Sequence, residues 1–221
     1  MNNNKTQKIE RPLSLTDIVV NQLRLSIMEG DLALGESVSE TMLAKKYGVS
    51  KTPVREALFR LKQEGAVEVI PQKGSFIYLP TPQEANDLCE FRAHIEPLAL
   101  QEAFATGGDE FLDETEVIVT KMKRMLNRQD VAKYLRLDTE FHQTFFNHCR
   151  NPYLKETYKL VSTKAAALRS HMSMNMTKAN QSNEHHIEIV ALLNEAKIDQ
   201  AITLLKKHII DIKAEFTNSV S

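Results

Sequence analysis

From residue 81 onward the sequence holds only segments with helical periodicity, and this constrains the fold more than any other feature. Apolar residues recur at three- and four-residue spacing over 81–106, 109–127, 130–149, 152–176, 181–196 and 198–217, the pattern of amphipathic helices. Breaks fall at Gly107-Gly108, at 127–130, at Asn151-Pro152, around Asn180 and near Lys197. Thr81-Pro82-x-Glu84 opens the series as a capping box with proline at the first helical position. Helices joined by loops this short pack antiparallel, so residues 80–221 are expected to form an all-α antiparallel six-helix bundle. Glycine is scarce, 7 of 221 residues, which disfavours a turn-dense β-sandwich.

The first third reads differently. Residues 1–12 are polar and end in Pro12, an expected flexible arm. Ser14-x-x-Asp17 can cap a helix that carries Ile18, Val19, Leu23 and Ile27 and stops at Gly30. Ser39 starts a short helix ending at Tyr47-Gly48, and Ser50 starts another with Val54, Ala57, Leu58 and Leu61 inward, closed by Gly65. Val67, Val69 and Ile70 against Phe76, Ile77 and Leu79, with Gly74 in the turn, read as a β-hairpin. Helix, short helix-turn-helix, then hairpin is the order of a winged helix-turn-helix, expected over 13–79. The fold class expected is therefore mainly α, a winged helix-turn-helix followed by the bundle.

Taken whole, the charge argues against a nucleic-acid partner, with 28 Lys and Arg against 29 Asp and Glu. It is unevenly spread. Residues 1–80 carry 11 basic and 9 acidic residues, whereas 81–221 carry 17 and 20. Within 41–62, Lys45, Lys46, Lys51, Arg55, Arg60 and Lys62 face only Glu56, a local +5. Cys89 and Cys149 fit neither a disulfide framework nor a metal-type spacing, so a reducing compartment is expected. The polar N-terminus and the lack of an apolar run of membrane-spanning length point to a cytoplasmic chain with no membrane partner.

The basic segment has the chemistry of a major-groove reader. Ser50, Lys51, Thr52 and Arg55 lie on or near the first turn of a helix whose other face is apolar, and backbone N–H groups there favour phosphate. Lys45 and Lys46 suit phosphate contacts, and the hairpin tip with Lys73 and Gly74 can lie over the backbone or minor groove. A basic amphipathic helix alone is as often a solvated face; its place within the full motif argues for double-stranded DNA.

All seven histidines fall between residues 94 and 208. Asp138 and His142, at i and i+4 in one helix, can offer one oxygen and one nitrogen to a divalent ion. Further ligands would come from His185 or His186 and from His208. Tyr134 and Phe145 flank this stripe as core residues, and Cys149 is expected to be buried.

The stretch GESVSETMLAKKYGVSKTPVREALFRLKQEGAVEVIPQKGSFI, most specifically VSKTPVREAL and the wing glycine, resembles the N-terminal domain of GntR-family bacterial transcription regulators. The helical remainder resembles the C-terminal domain of the FadR-like (FCD) subfamily, so that the likeness covers about 14–217. It implies a homodimer that binds operator DNA through Lys51, Thr52 and Arg55, with Lys73 and Gly74 in the wing. Two departures bear on operator preference: Thr41 stands where some members carry Arg, and Lys51 where Arg is common. Lys lacks the planar fork that Arg presents to guanine.

For the bundle, the resemblance implies an Asp-x-x-x-His with single histidines on two later helices. That selects Asp138, His142, His186 and His208, with His185 the alternative to His186. Such a set suits Zn, Ni or Mn and leaves coordination positions open for a small organic acid. Arg92 and Glu96 match a family Arg-x-x-x-Glu, with Arg92 pairing the effector carboxylate and Glu96 orienting a neighbour; an ordinary i,i+4 salt bridge is the competing reading. Two other functions stay open on the residues alone: a bundle that only dimerises, and a His3Asp metalloenzyme that activates water.

Overall fold

The structure, a computed structural model, describes residues 12–173 and 175–220. The expected arm at 1–12 lies outside the described residues apart from Pro12. The N-terminal unit runs α1 (Leu15–Met28), β1 (Ser37–Val38), α2 (Glu40–Tyr47), α3 (Lys51–Gln63), β2 (Val67–Ile70) and β3 (Gly74–Ile77). Ser14 caps α1 reciprocally with Asp17, and Ser39 caps α2 by accepting from the Met42 amide at 3.1 Å. The strands form an antiparallel sheet in the order β1-β3-β2, with Ser37 opposite Phe76 and Val67 opposite Ile77. This is a winged helix-turn-helix.

One feature of that unit departs from the sequence reading. The segment before α2 is not a plain connection: β1 adds a third strand to the hairpin. Of the hairpin residues, Val67 and Ile77 are buried, but Val69 and Leu79 are 41% and 60% exposed. Val67 and Val69 share one face of the pleat, so what separates them is distance from the core: Val69 lies toward the turn, and Leu79 lies beyond the end of β3. That core joins Val19, Val20, Leu23 and Ile27 of α1 to Val54, Leu58 and Leu61 of α3.

The C-terminal unit is helical throughout, with α4 (Pro82–Asn127), α5 (Val131–His148), α6 (Pro152–Ser173), α7 (Met176–Asn194) and α8 (Ile198–Val220). Segments 81–106 and 109–127 of the sequence reading are both within α4, interrupted at Gly108, whose φ of 54° and ψ of −151° are outside helical space. Helix α7 begins earlier than the expected break near Asn180, because Asn175 caps it by accepting from the Thr177 amide at 2.8 Å. The bundle core includes Phe111, Phe141, Phe145, Phe146, Tyr158 and Leu168, with Phe146 stacked on Tyr158 at 3.9 Å between centroids. Cys149 is buried in it, as expected.

The break in α4 is packed against the end of α5. Thr106 Oγ1 donates to the His148 carbonyl at 3.1 Å, and His148 Nε2 lies 2.7 Å from Glu114 Oε2. Gly107 lets these parts approach: a Cβ there would stand 2.6 Å from Phe111 Cβ and 3.3 Å from His148 Cβ. Gly107→Ala is therefore expected to destabilise the protein by about 1–3 kcal/mol through overpacking, read as a lower thermal unfolding midpoint. An unchanged midpoint would mean that the break relaxes without cost.

Candidate functional site

Two sites arise from this frame, one in each unit. In the N-terminal unit, α3 buries Pro53, Val54, Ala57, Leu58 and Leu61. The same helical period turns Lys51, Thr52, Arg55, Glu56 and Phe59 outward. Ser50 occupies the N-cap position but makes no capping bond with its side chain. Lys45 and Lys46 are exposed in the last turn of α2, and Lys73 and Gly74 are exposed at the turn between β2 and β3. All of the DNA-contact candidates read from the sequence are thus on the surface of the helix-turn-helix or at the tip of the wing.

Arg55 has a partner that the sequence reading missed. Its Nε and Nη2 donate to Glu40 Oε1 and Oε2 at 2.7 and 2.8 Å, a fork-to-fork pair across α2 and α3. The Arg55 hydrogen bonds hold the Glu40 carboxyl below its ordinary range. The pair fixes the direction of the guanidinium while 69% of the Arg55 side chain remains exposed. Glu40 is the first residue of α2, where an acidic side chain also suits the helix dipole, and that local role conceals its contact with α3.

The second site is inside the bundle. Helix α5 carries Asp138 and His142 one turn apart; α7 supplies His186, α8 supplies His208, and α4 supplies Arg92 and Glu96. All six are at most 2% exposed. One ring nitrogen each from His142, His186 and His208 lies within 4.8 Å of the others. His186 and His208 approach with Nε2 atoms 3.1 Å apart, and the rings of His142 and His208 stack at 5.4 Å. His186, not His185, enters the cluster. His185 is half-buried, borders a cavity of about 320 Å³ that also reaches His208, and meets the His208 ring edge-on at 5.8 Å.

Carboxylates orient these rings. His142 Nδ1 lies 2.7 Å from Glu96 Oε2, while Glu96 Oε1 accepts from Arg92 Nε at 2.6 Å. The carboxylate can only accept, so His142 carries its proton on Nδ1 and points the Nε2 lone pair inward. The i,i+4 salt bridge between Arg92 and Glu96 is present, and Glu96 also bonds the His142 ring. Asp138 stands beside the cluster rather than within it, with Oδ1 3.6 Å from His186 Nε2. Its Oδ2 accepts from Arg169 Nε at 2.6 Å, and Arg169 Nη2 reaches Thr139 Oγ1 at 3.2 Å. Arg169, on α6, is a second residue that the sequence reading missed. The one available signal was a lone charge in the run AAALRS, otherwise wholly apolar or small.

Burial drives the pKa of His142, His186 and His208 well below the usual histidine range, reinforced at each by neighbouring cationic or imidazole groups. Neutral imidazoles present lone pairs. One shared proton satisfies the His186–His208 contact but leaves His142 Nε2, which is buried and has no hydrogen-bond partner among the described residues. A divalent ion would satisfy all three nitrogens, so the donor set fits a metal such as Zn, Ni or Mn. Arg92 Nη1 and Nη2 are likewise buried without a partner, two N–H-bearing atoms of fixed geometry suited to a carboxylate.

Comparison with known proteins agrees with both halves. Residues 15–77 match the family described as bacterial regulatory proteins, gntR family, and residues 87–211 match the FCD domain. The Nta operon transcriptional regulator of Aminobacter aminovorans is 30% identical over 181 residues, covering 79% of this chain and 81% of that protein. The gluconate operon transcriptional repressor of Bacillus licheniformis is 26% identical over 136 residues, covering 62% of this chain and 56% of that one. Among solved structures, E. coli McbR/YncC superposes with a TM-score of 0.83 at 20% identity, over 95% of this chain and 100% of its own. That likeness is one of fold. The chain belongs to the GntR family of bacterial regulatory proteins and is a DNA-binding transcription regulator with an FCD effector-binding domain, not an enzyme.

Proposed function

We propose that the chain acts as a cytoplasmic homodimer whose operator binding is governed by a small organic acid held at a divalent metal in the bundle. The observation that carries the reading is the buried imidazole cluster: three neutral rings converge, and His142 Nε2 has no partner among the described residues. In this reading His142, His186 and His208 hold the metal with Asp138, and the ion supplies a Lewis-acidic anchor for a carboxylate. Arg92 would pair that carboxylate through Nη1 and Nη2, while Glu96 keeps His142 in the ligating tautomer. A relative named for a gluconate operon makes an organic acid a reasonable chemical class.

At the other end, Lys51, Thr52 and Arg55 would enter the major groove, with Ser50, Lys45 and Lys46 on phosphates and Lys73 and Gly74 at the wing. A dimer places two such units on two half-sites, so small changes in their spacing alter affinity steeply. The effector acts by differing in affinity for the two arrangements, a coupling between distinct sites.

Two outcomes follow. Arg55→Ala is expected to weaken specific operator binding about ten- to hundredfold while leaving the thermal unfolding midpoint in place, because the side chain is mostly exposed. Unchanged footprints on the operator would remove α3 from the role assigned to it. His208→Ala is expected to reduce bound metal from about one per chain to near zero by elemental analysis, and to abolish the thermal shift given by small organic acids. Equal metal content in the variant and the wild type would reject the ligand set. A wild type with neither metal nor response to acids would leave the bundle as a dimerisation module.

A further inference from the structure

Within a single turn of α6, consecutive residues reach the metal-site carboxylate and the winged unit. Ala167 is buried in the N-terminal core, among α1 and α3 side chains, whereas Leu168 and Met172 belong to the bundle core. Arg169 holds Asp138 Oδ2 and Thr139 Oγ1. Ser170 Oγ lies 3.4 Å from the carbonyl oxygen of Ile27, near the C-terminal end of α1. One turn earlier, Lys164 Nζ stands 5.6 Å above the Tyr78 ring and close to Gly65, just beyond α3.

Helix α1 is in turn bound to α3. Thr16 Oγ1 donates to Glu56 Oε2 at 2.6 Å, Arg60 Nη1 to Asp17 Oδ1 at 2.6 Å, and Arg24 Nε to Glu64 Oε2 at 3.2 Å. Displacement of the end of α1 is therefore carried to α3, because close-packed helices joined at several points move together rather than deform.

We propose that Arg169 is the positioning residue for Asp138 and that α6 passes the placement of that carboxylate to the C-terminal end of α1. The proposal rests on the metal reading above. Arg169 holds Oδ2, which leaves Oδ1 directed at His186 Nε2. An ion taking up Oδ1 would pull on a carboxylate tied to Arg169, whose neighbours Ala167 and Ser170 are among the contacts of α6 with the winged unit. Simple charge neutralisation of Asp138 would account for a buried arginine, but it would not make the exchange behaviour of α1 depend on metal.

The experiment uses the full-length protein with Zn2+ as the probe. Zn2+ affinity is measured by chelator competition, and backbone amide exchange over residues 25–32 is followed with and without Zn2+. Arg169→Lys keeps the charge but loses the fork, and is expected to weaken Zn2+ binding about tenfold or more, the usual cost of losing a group that orients a metal ligand. Ser170→Ala is expected to leave Zn2+ affinity within about twofold yet at least halve the Zn2+-dependent change in exchange. Should Arg169→Lys not fold, Thr139→Val removes only the second anchor and is expected to weaken Zn2+ binding in the same direction. Wild-type Zn2+ affinity in the position-169 variant or, if that does not fold, in Thr139→Val overturns the proposal alone, as does exchange over 25–32 that ignores Zn2+ in the wild type. Failure of the wild type to bind Zn2+, Ni2+ or Mn2+ overturns the metal reading beneath it.

Discussion

Two arginine–carboxylate pairs, Arg92–Glu96 and Arg169–Asp138, are enclosed in the helical bundle, and the polar centre of that bundle depends on them. Taking such ions out of water costs several kcal/mol each, and apolar residues of similar volume would pack as well. The carboxylates are retained in positions where each also meets an imidazole: Glu96 on His142, Asp138 toward His186. The first pair therefore sets the direction and tautomer of the His142 ring, whereas Asp138 only faces His186 at 3.6 Å. Without Glu96, the buried Nδ1 of His142 would lose its acceptor.

The same economy appears on the exposed face of the helix-turn-helix. Glu40 directs Arg55 as Glu96 directs His142, one pair exposed and the other buried. In the role proposed for Arg55, holding the guanidinium in one orientation beforehand would reduce the side-chain entropy lost on binding. The difference in burial has a thermodynamic consequence. The exposed pair is screened by solvent and adds little to folding, whereas removing Glu96 from the buried site leaves Arg92 an uncompensated charge.

Much of this was legible in the sequence, for identifiable reasons. Helical periodicity and capping signals located every helix, because Ser14, Ser39 and Thr81 act on their own next residues. Asp138 and His142 could be paired because i and i+4 share a face. Choosing His186 over its neighbour needed the family resemblance, since adjacent positions differ only by the roll of one helix, and the structure turns His186 inward. What escaped was long-range. The strand β1 is two residues long and exists only because β3 accepts it, so it has no periodicity of its own. Glu40 and Arg169 act on residues 15 and 31 positions away. Such contacts are decided by packing, and a local pattern cannot report them.

The central claim is that the imidazole cluster and Asp138 form a metal site from which the bundle governs DNA binding. Its most direct test is anomalous X-ray diffraction, at the metal absorption edges, from crystals of protein purified without chelator. The account predicts a single strong peak bounded by Nε2 of His142, His186 and His208 and by an oxygen of Asp138, with Arg169 still on the other oxygen. Crystals with no peak there, in which His186 and His208 keep their 3.1 Å nitrogen contact and His142 Nε2 faces only protein, would contradict it.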